Sequence, residues 1–286
     1  MDWYKERDVN MKRVLTIQDI SCLGKCSLTI ALPVISAMGV ETVILPTAVL
    51  STHTMFKNVA VKDLSDHIQP VVNHWKRENI EFDAIYTGYL GTIEEIELMK
   101  DIFRDFKKDG SFVFVDPVMA DHGKLYSAFN DAYVKKNAEL CASADIIVPN
   151  ITEAAFMTGT EYREEYGEDY VKLLLKRLNE LGAKVSILTG VSLEKGKTGV
   201  YGYIREKDEY FNYQNDCVLA SYHGTGDLFA SVAVGSLVRG KSLYEAFRIA
   251  ADYTALTISE TLKNPRKPWY GVDFESTIPK LIELSK

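Results

Sequence analysis

One short stretch of the chain combines residue types and spacing that could do chemistry: Ser221-Tyr222-His223-Gly224-Thr225-Gly226-Asp227-Leu228-Phe229-Ala230-Ser231. Two glycines bracket a threonine, an aspartate follows at once, and an apolar run then reads as a buried helix. Glycine lets a backbone approach a ligand closely. A helix start adds unpaired N–H groups and the positive end of the helix dipole. Gly224, Thr225 and Gly226 can therefore form an anion cradle, with Asp227 beside the anion. An acid at that place suits an alcohol that loses its proton as it attacks a phosphoryl group. A Gly-rich turn with Asp227 as an ordinary first-turn acid fits the same four residues about as well.

The elements that must position such a stretch read as alternating strands and helices. Lys12–Ile17 is a short β-rich run ending in Gln18-Asp19, and Ser27–Met38 is helix-like and closes at Gly39. Thr42–Leu45 is a second strand, and Pro46–Asn58 lacks helical spacing, as a small flap would. Asp63–Glu78 is amphipathic, with Leu64, Ile68, Val71, Val72 and Trp75 on one face. Further strands are expected at Ala84–Thr87, Ser111–Val115, Asp145–Val148 and Lys184–Leu188. Between and after them, helices are expected at Ile93–Lys107, Asn130–Ala142, Thr152–Met157 and Asp169–Leu181. Gly199–Ile204 and Glu209–Gln214 alternate about Glu206-Lys207-Asp208 like a hairpin. Ser242 and Glu245 form a capping-box pattern before a helix to about Leu262, and a last short helix follows the break at Asn264–Pro268. This order implies an α/β fold: a central, mostly parallel sheet with helices on both faces. Ligands of such sheets bind beyond the carboxyl ends of the strands. Here those ends carry Asp19, Gly88-Tyr89, Asp116, Asn150 and Thr189-Gly190. Turns also favour these residues. Asn150-x-x-Glu153 reads as a helix cap on spacing alone, and as a hard-oxygen Mg2+ site if a phosphate cradle shares the same edge.

Composition narrows the functional classes. The chain has 286 residues, is 47% hydrophobic and 26% charged, and carries a formal net charge of −7. That balance suits a globular protein and lacks the basic face of a general nucleic-acid binder. No stretch is long enough to span a membrane and no signal region opens the chain, so a cytoplasmic protein is expected. Residues 1–11 read as an N-terminal extension, with Met11 an alternative start, and 12–286 as a single domain. The four cysteines, Cys22, Cys26, Cys141 and Cys217, and the five histidines show no metal-ligand spacing. Structural thiols are expected.

Taken together and in order, several segments resemble the pyridoxal kinase family within the ribokinase-like superfamily of ATP-dependent small-molecule kinases. These are Ile17-Gln18, Ser51-Thr52-His53-Thr54, Thr87-Gly88-Tyr89-Leu90-Gly91, Asp116-Pro117-Val118-Met119-x-Asp121, Pro149-Asn150-x-x-Glu153 and Gly224-Thr225-Gly226-Asp227. The similarity runs from Val14 almost to Leu262. It implies a ribokinase-like three-layer fold with a small flap. It also implies transfer from ATP to the 5'-hydroxymethyl group of a vitamin B6 vitamer, with Mg2+ and a monovalent cation such as K+ as cofactors. By that resemblance Asp227 is the catalytic base and Gly224, Thr225 and Gly226 the anion hole. Asp116, Asp121, Asn150, Glu153, Thr189 and Thr225 serve ATP. Asn150, Glu153 and Asp116 act on the metal, mostly through water. Asp19, Thr47, His53, Tyr89 and Asp227 meet the substrate, and a homodimer through the flap strands is implied. Hydroxymethylpyrimidine kinases share the cradle and base. A non-catalytic ligand carrier on the same fold is the alternative of another class.

Two positions depart from the family pattern. Asp19-Ile20 stands where Ser-His is frequent, and Ala120 where Gly is common. A carboxylate facing the substrate ring would favour a cation or N–H donors, hence pyridoxamine or an amino-pyrimidine over pyridoxal.

Overall fold

A computed structural model describes residues 11–220 and 222–286. The expected N-terminal extension falls almost wholly outside the described residues, as does Ser221. Among the described residues nine strands form one sheet, in the order β11-β10-β9-β8-β5-β4-β1-β2-β3. Its middle is parallel: β2 (Glu41–Thr52), β1 (Arg13–Leu23), β4 (Ala84–Thr87), β5 (Phe112–Val115), β8 (Ile146–Ile147) and β9 (Val185–Val191). Antiparallel strands close both edges. β3 (Val61–Asp63) lies beyond β2, and the hairpin of β10 (Lys197–Ile204) and β11 (Glu209–Asp216) lies beyond β9.

Successive strand residues point to opposite faces, and both faces are apolar, as a covered sheet requires. On β1, Val14 joins one core and Leu15 the other; on β5, Phe114 joins the first while Val113 and Val115 join the second. The first core packs under α1 (Leu28–Ala37), α7 (Thr225–Val238), α8 (Leu243–Lys263) and α9 (Ile278–Leu284). The second packs under α2 (Ser65–Arg77), α3 (Ile93–Phe106), α4 (Asp131–Cys141), α5 (Ile151–Met157) and α6 (Glu168–Leu181). Ile68 and Val72 of α2 are buried there, with Val71 and Trp75 packed beside them. The three-layer α/β arrangement read from the sequence is the one observed.

Several boundaries differ from the sequence reading. β1 does not end before Asp19 but continues to Leu23, because its partner continues too. The stretch expected as irregular flap from Pro46 is strand as far as Thr52. Pro46 is tolerated because β2 pairs with β3 only over Ala48–Leu50, which leaves its outer side free of ladder bonds at Pro46. The register slips between Gln18, opposite Pro46, and Ile20, opposite Val49, so Thr47 and Ala48 together face Asp19. Such a bulge re-aims side chains. Thr189-Gly190 lies inside β9 rather than beyond it. A second, two-stranded sheet was not expected: β6 (Ala120–Asp121) and β7 (Lys124–Leu125) flank His122 and Gly123, both with positive φ. Two left-handed residues make the tight turn that a twisted hairpin prefers. The capping box of Ser242 and Glu245 is present. No helix among the described residues is long and apolar enough to cross a membrane.

Candidate active site

The strand order reverses between β1 and β4: the chain leaves β1 toward β2 on one side, and β4 leads to β5, β8 and β9 on the other. A crevice opens beyond the carboxyl ends at such a point. The residues singled out from the sequence gather around it. Asp19 comes from β1, Thr47 from β2, Tyr89 from the loop after β4, Asp116 from the residue after β5, Asn150 from the start of α5 and Thr189 from β9.

The cradle is built by the first turn of α7. Gly224 caps the helix in a left-handed conformation, φ 81°. A Cβ there would stand 1.8 Å from the Lys25 carbonyl oxygen, so only glycine fits. Gly226 is different: nothing lies within 4 Å of the Cβ it lacks, and its open side is where an anion would sit. Thr225 donates its hydroxyl to the Tyr222 carbonyl at 3.1 Å, which holds the turn. Asp227 follows in the same turn. Burial pushes its carboxyl up to about 7, the nearby Ser27 backbone N–H pulls in the other direction, and the Asp19 charge adds to the rise.

Asp116 and Glu153 lie deeper. The Asp116 carboxyl is held well above the usual range by burial, then by Glu153 and Asp227. No hydrogen bond to its side chain is present among the described residues. Glu153 accepts the backbone N–H of Asn150 at 2.9 Å and of Met119 at 3.0 Å, yet burial still lifts it to about 8. Asn150 accepts the Glu153 N–H at 2.9 Å and donates to the Ala120 carbonyl at 2.8 Å. Asn150 and Glu153 are thus a capping box that also clamps the base of the β6–β7 hairpin. Thr152 holds the hairpin's turn by accepting the Gly123 N–H. Asp121 is exposed on the hairpin beside His122, near enough to Glu153 to raise its pKa. Thr189 is bridged to Asn150 across the sheet edge.

Asp116, Glu153 and Asp227 have no Lys or Arg ion-pair partner among the described residues. Three buried carboxyls, with Asp116 raised further by the other two, suit a cation and the phosphates it accompanies. Among the described residues no group of three His, Cys, Asp or Glu is arranged to hold a metal directly. A cation here would be held through water and phosphate oxygens, with Asp116 the carboxylate freest to face it.

The other half of the crevice lies at β1 and β2. Asp19 is buried, and its two oxygens accept the hydroxyls of Ser21 at 3.0 Å and Ser27 at 2.6 Å. Burial raises its pKa and these bonds lower it. Thr47 is buried at the bulge opposite it. Tyr89 is half-buried against Phe129, close enough to Asp19 to feel its charge. The loop of Tyr89 is fixed from two sides: Glu95 accepts the Gly91 N–H at 2.6 Å, and the Tyr133 hydroxyl donates to the Leu90 carbonyl at 2.5 Å. His53 is buried where β2 ends. Its Nε2 lies 2.9 Å from the Tyr270 carbonyl, an obligate acceptor, and its Nδ1 accepts the Met55 N–H. The proton therefore sits on Nε2 and the ring is neutral, with its pKa lowered by burial. His53 also packs against His223, the residue before the cradle, at 4.2 Å between ring centroids.

A family model for phosphomethylpyrimidine kinases matches residues 31–268 of this chain. The chain belongs to that family. A hydroxymethylpyrimidine/phosphomethylpyrimidine kinase of Haemophilus influenzae is 28% identical over 260 residues, covering 88% of this chain and 93% of that protein. A Bacteroides thetaiotaomicron protein, assigned provisionally as a phosphomethylpyrimidine kinase and crystallised with pyridoxal, superposes with a TM-score of 0.89. It is 36% identical, over 95% of this chain and 96% of its own. The pyridoxal kinase of Lactobacillus plantarum gives a TM-score of 0.88 at 30% identity, over 96% of this chain and 97% of its own. The ribokinase-like fold implied by the sequence resemblance holds, and the protein is a kinase of the group that unites pyridoxal and hydroxymethylpyrimidine kinases.

Sequence reading missed several parts of this kinase's site. Ser27 gave no signal, because a serine at a helix start is expected to cap it with its side chain. The His122-Gly123 pair between polar flanks was the available sign of the hairpin. Trp269 and Tyr270 gave none: they follow the Pro-rich break, and only the fold brings them to Phe56 and His53. Of the four thiols, Cys26 and Cys141 are buried and Cys217 partly so, as expected, but Cys22 is exposed.

Gly226→Ala separates space for the protein from space for an anion. The methyl group meets no protein atom and removes a helix glycine, so stability should be unchanged or rise by up to about 1 kcal/mol. Phosphoryl transfer should fall at least about tenfold, because the methyl group stands where the anion's oxygen would accept the amide. Thermal unfolding and steady-state kinetics on one preparation check both.

Proposed function

We propose that the protein is an ATP-dependent kinase of the 5'-hydroxymethyl group of a vitamin B6 vitamer, pyridoxal, pyridoxine or pyridoxamine, giving the 5'-phosphate. The observation that carries this reading is Asp227: a carboxyl pushed up to about 7, in the first turn of a helix whose other residues form an anion cradle. A base of that strength is half ionised near neutral pH and can take a proton from an alcohol. Asp227 accepts the hydroxymethyl proton as its oxygen attacks the γ-phosphorus of ATP. The bond from that phosphorus to the bridging oxygen of ADP breaks, and ADP leaves. The amides of Gly224, Thr225 and Gly226 face the oxygens on which charge develops. When bound, Mg2+ neutralises charge on the phosphates, and Asp116, Glu153 and Asn150 are the residues proposed to hold it, mostly through water. Asp121, Thr189 and Thr225 are proposed to line the nucleotide path. Thr47, Tyr89 and His53 are proposed to enclose the substrate ring, with Asp19 reading its substituents.

Pyridoxal in the Bacteroides relative supports the vitamer reading. A second reading, phosphorylation of hydroxymethylpyrimidine, is supported by the family model and the Haemophilus relative. A ligand carrier is disfavoured by the same acid, since holding Asp116, Glu153 and Asp227 out of water costs stability that binding alone does not require. We propose further that residues 12–286 act as one domain and that the protein forms a cytoplasmic homodimer through β2 and β3. Sedimentation as a monomer at micromolar concentration would count against the dimer.

Purified protein with ATP–Mg2+ should phosphorylate at least one of pyridoxal, pyridoxine, pyridoxamine and hydroxymethylpyrimidine. Turnover on none of them would leave the carrier reading standing. If Asp19 reads the substituent, pyridoxamine should exceed pyridoxal in kcat/KM, and Asp19→Ser should reverse the order.

Asp227→Asn should bind substrate and lose most turnover, by about 10²-fold or more. In the wild type, kcat/KM should climb with pH and level off above about 7, as Asp227 ionises. Stability runs the other way. A carboxyl with a raised folded-state pKa binds its proton more tightly when folded, so its contribution is fully present at low pH. That contribution is lost as pH rises through about 7. Asp227→Asn should therefore melt higher than wild type at pH 8, with a smaller difference at pH 5. Equal melting curves at pH 8 would argue against a buried, strained acid.

A further inference from the structure

Ser27 is the residue on which the two halves of the crevice meet. It precedes α1 with φ 49° and ψ −133°, a conformation that glycine adopts freely and serine does not. A serine at this position normally turns its hydroxyl onto the first-turn amides of its helix. Here the side chain makes no cap bond and is given to Asp19, at 2.6 Å. The Ser27 carbonyl still accepts from Ile30 and Ala31, so the helix begins in register. Its backbone N–H is turned toward the Asp227 carboxyl, near enough to lower that group's pKa.

The surroundings fix both ends of this chain of contacts. Asp19 stands at the bulge where Thr47 and Ala48 face it, and its second oxygen is tied to Ser21. The loop from Gly24 to Ser27 is pressed against the cradle by the contact of the Lys25 carbonyl with Gly224. Lys25 itself is paired with Glu275 and lies over the Phe274 ring. A strained backbone persists where the surrounding structure over-determines it, and the hydroxyl and carbonyl of Ser27 are both engaged.

We propose that Asp19 is a positioning residue for the base: it holds Ser27 in the left-handed conformation in which the Ser27 amide faces Asp227 and fixes the direction of its carboxylate. The proposal rests on Asp227 as the base and assigns Asp19 an effect on every alcohol the kinase accepts, whatever its substituents. Orientation errors of a catalytic group lower the rate of the chemical step more than they weaken binding. The unstrained form of the same backbone is available by mutation, because glycine takes it without a tether.

The test compares Asp19→Ala, Ser27→Ala, the double variant and Ser27→Gly at saturating ATP–Mg2+, with each alcohol that the wild type turns over. Asp19→Ala and Ser27→Ala should each lower kcat about tenfold or more on all of them, with KM changed by no more than about twofold. The double variant should be no slower than the slower single one, since both break the same contact. Ser27→Gly should recover most of the rate lost in Ser27→Ala, a rescue that a purely structural role for the hydroxyl would not give. A change in KM confined to one alcohol, with Ser27→Ala unaffected, would overturn the proposal and leave Asp19 as a reader of the substrate. Losses that multiply in the double variant would overturn it as well. If Asp19→Ala does not fold, the comparison of Ser27→Ala with Ser27→Gly decides alone, and equal rates for the two refute the proposal. Failure of Asp227 as the base would show separately, as an active Asp227→Asn.

Discussion

The structure depends on keeping carboxyl groups out of water at the carboxyl edge of a sheet. Asp116, Glu153 and Asp227 are each raised in pKa by burial, and Asp116 also by its two neighbours. An unpaired buried charge is among the costliest features a fold can carry. Here it is offset by parts that do no chemistry. Two apolar cores, one on each face of the sheet, hold the strand ends in place, and backbone amides from Met119 and Asn150 are spent on Glu153. The crevice is the place where the fold gives up stability, and the remaining elements have to supply it.

Three segments far apart in sequence interlock above that crevice. His53 at the end of β2 donates to the Tyr270 carbonyl, packs on His223 beside the cradle and touches Phe56, which in turn packs on Trp269. Lys25, in the loop after β1, pairs with Glu275 of the same C-terminal segment. The neutral His53 ring suits this junction because each of its nitrogens has one partner of the right kind. Protonation would set a second donor against the Met55 amide, which is consistent with burial lowering its pKa. Closing a site around a reactive phosphate needs such a wall, since water competes with the alcohol.

Much of this was legible in the sequence, for a physical reason. Apolar runs such as Val113–Val115 and the capping box at Ser242 are local signals, and the fold obeys them. The cradle was legible because Gly224 and Gly226 are needed for backbone shape and for space, which residue type reveals directly. Asn150 and Glu153 were legible as a pair but not in meaning: the cap and the proposed metal role use the same atoms, and spacing alone cannot separate them. Asp19 was visible only as a departure from a family pattern. Its partner Ser27 was invisible, because a serine that abandons its cap for a strained backbone leaves no trace in residue type. Nor does sequence show the bulge at Thr47, which arises from a register slip between two strands.

The division of the crevice bears on how one fold can serve related alcohols. The proposed cradle and base and the capping box are made from helix starts and strand ends whose geometry the backbone fixes. A pyridine and a pyrimidine carry the same hydroxymethyl group, so this part need not change between them. What is proposed to surround the ring is different in kind: a bulge, the end of an edge-facing strand and a loop held by Glu95 and Tyr133. Side chains there can be exchanged without moving the cradle, and solved structures with both kinds of name share this architecture. Asp19 lies on the boundary. It belongs by position to the half proposed to face the ring, yet its bond to Ser27 reaches toward the half that is held constant. A substitution at such a residue alters recognition and chemistry together, unless the backbone of Ser27 is secured some other way.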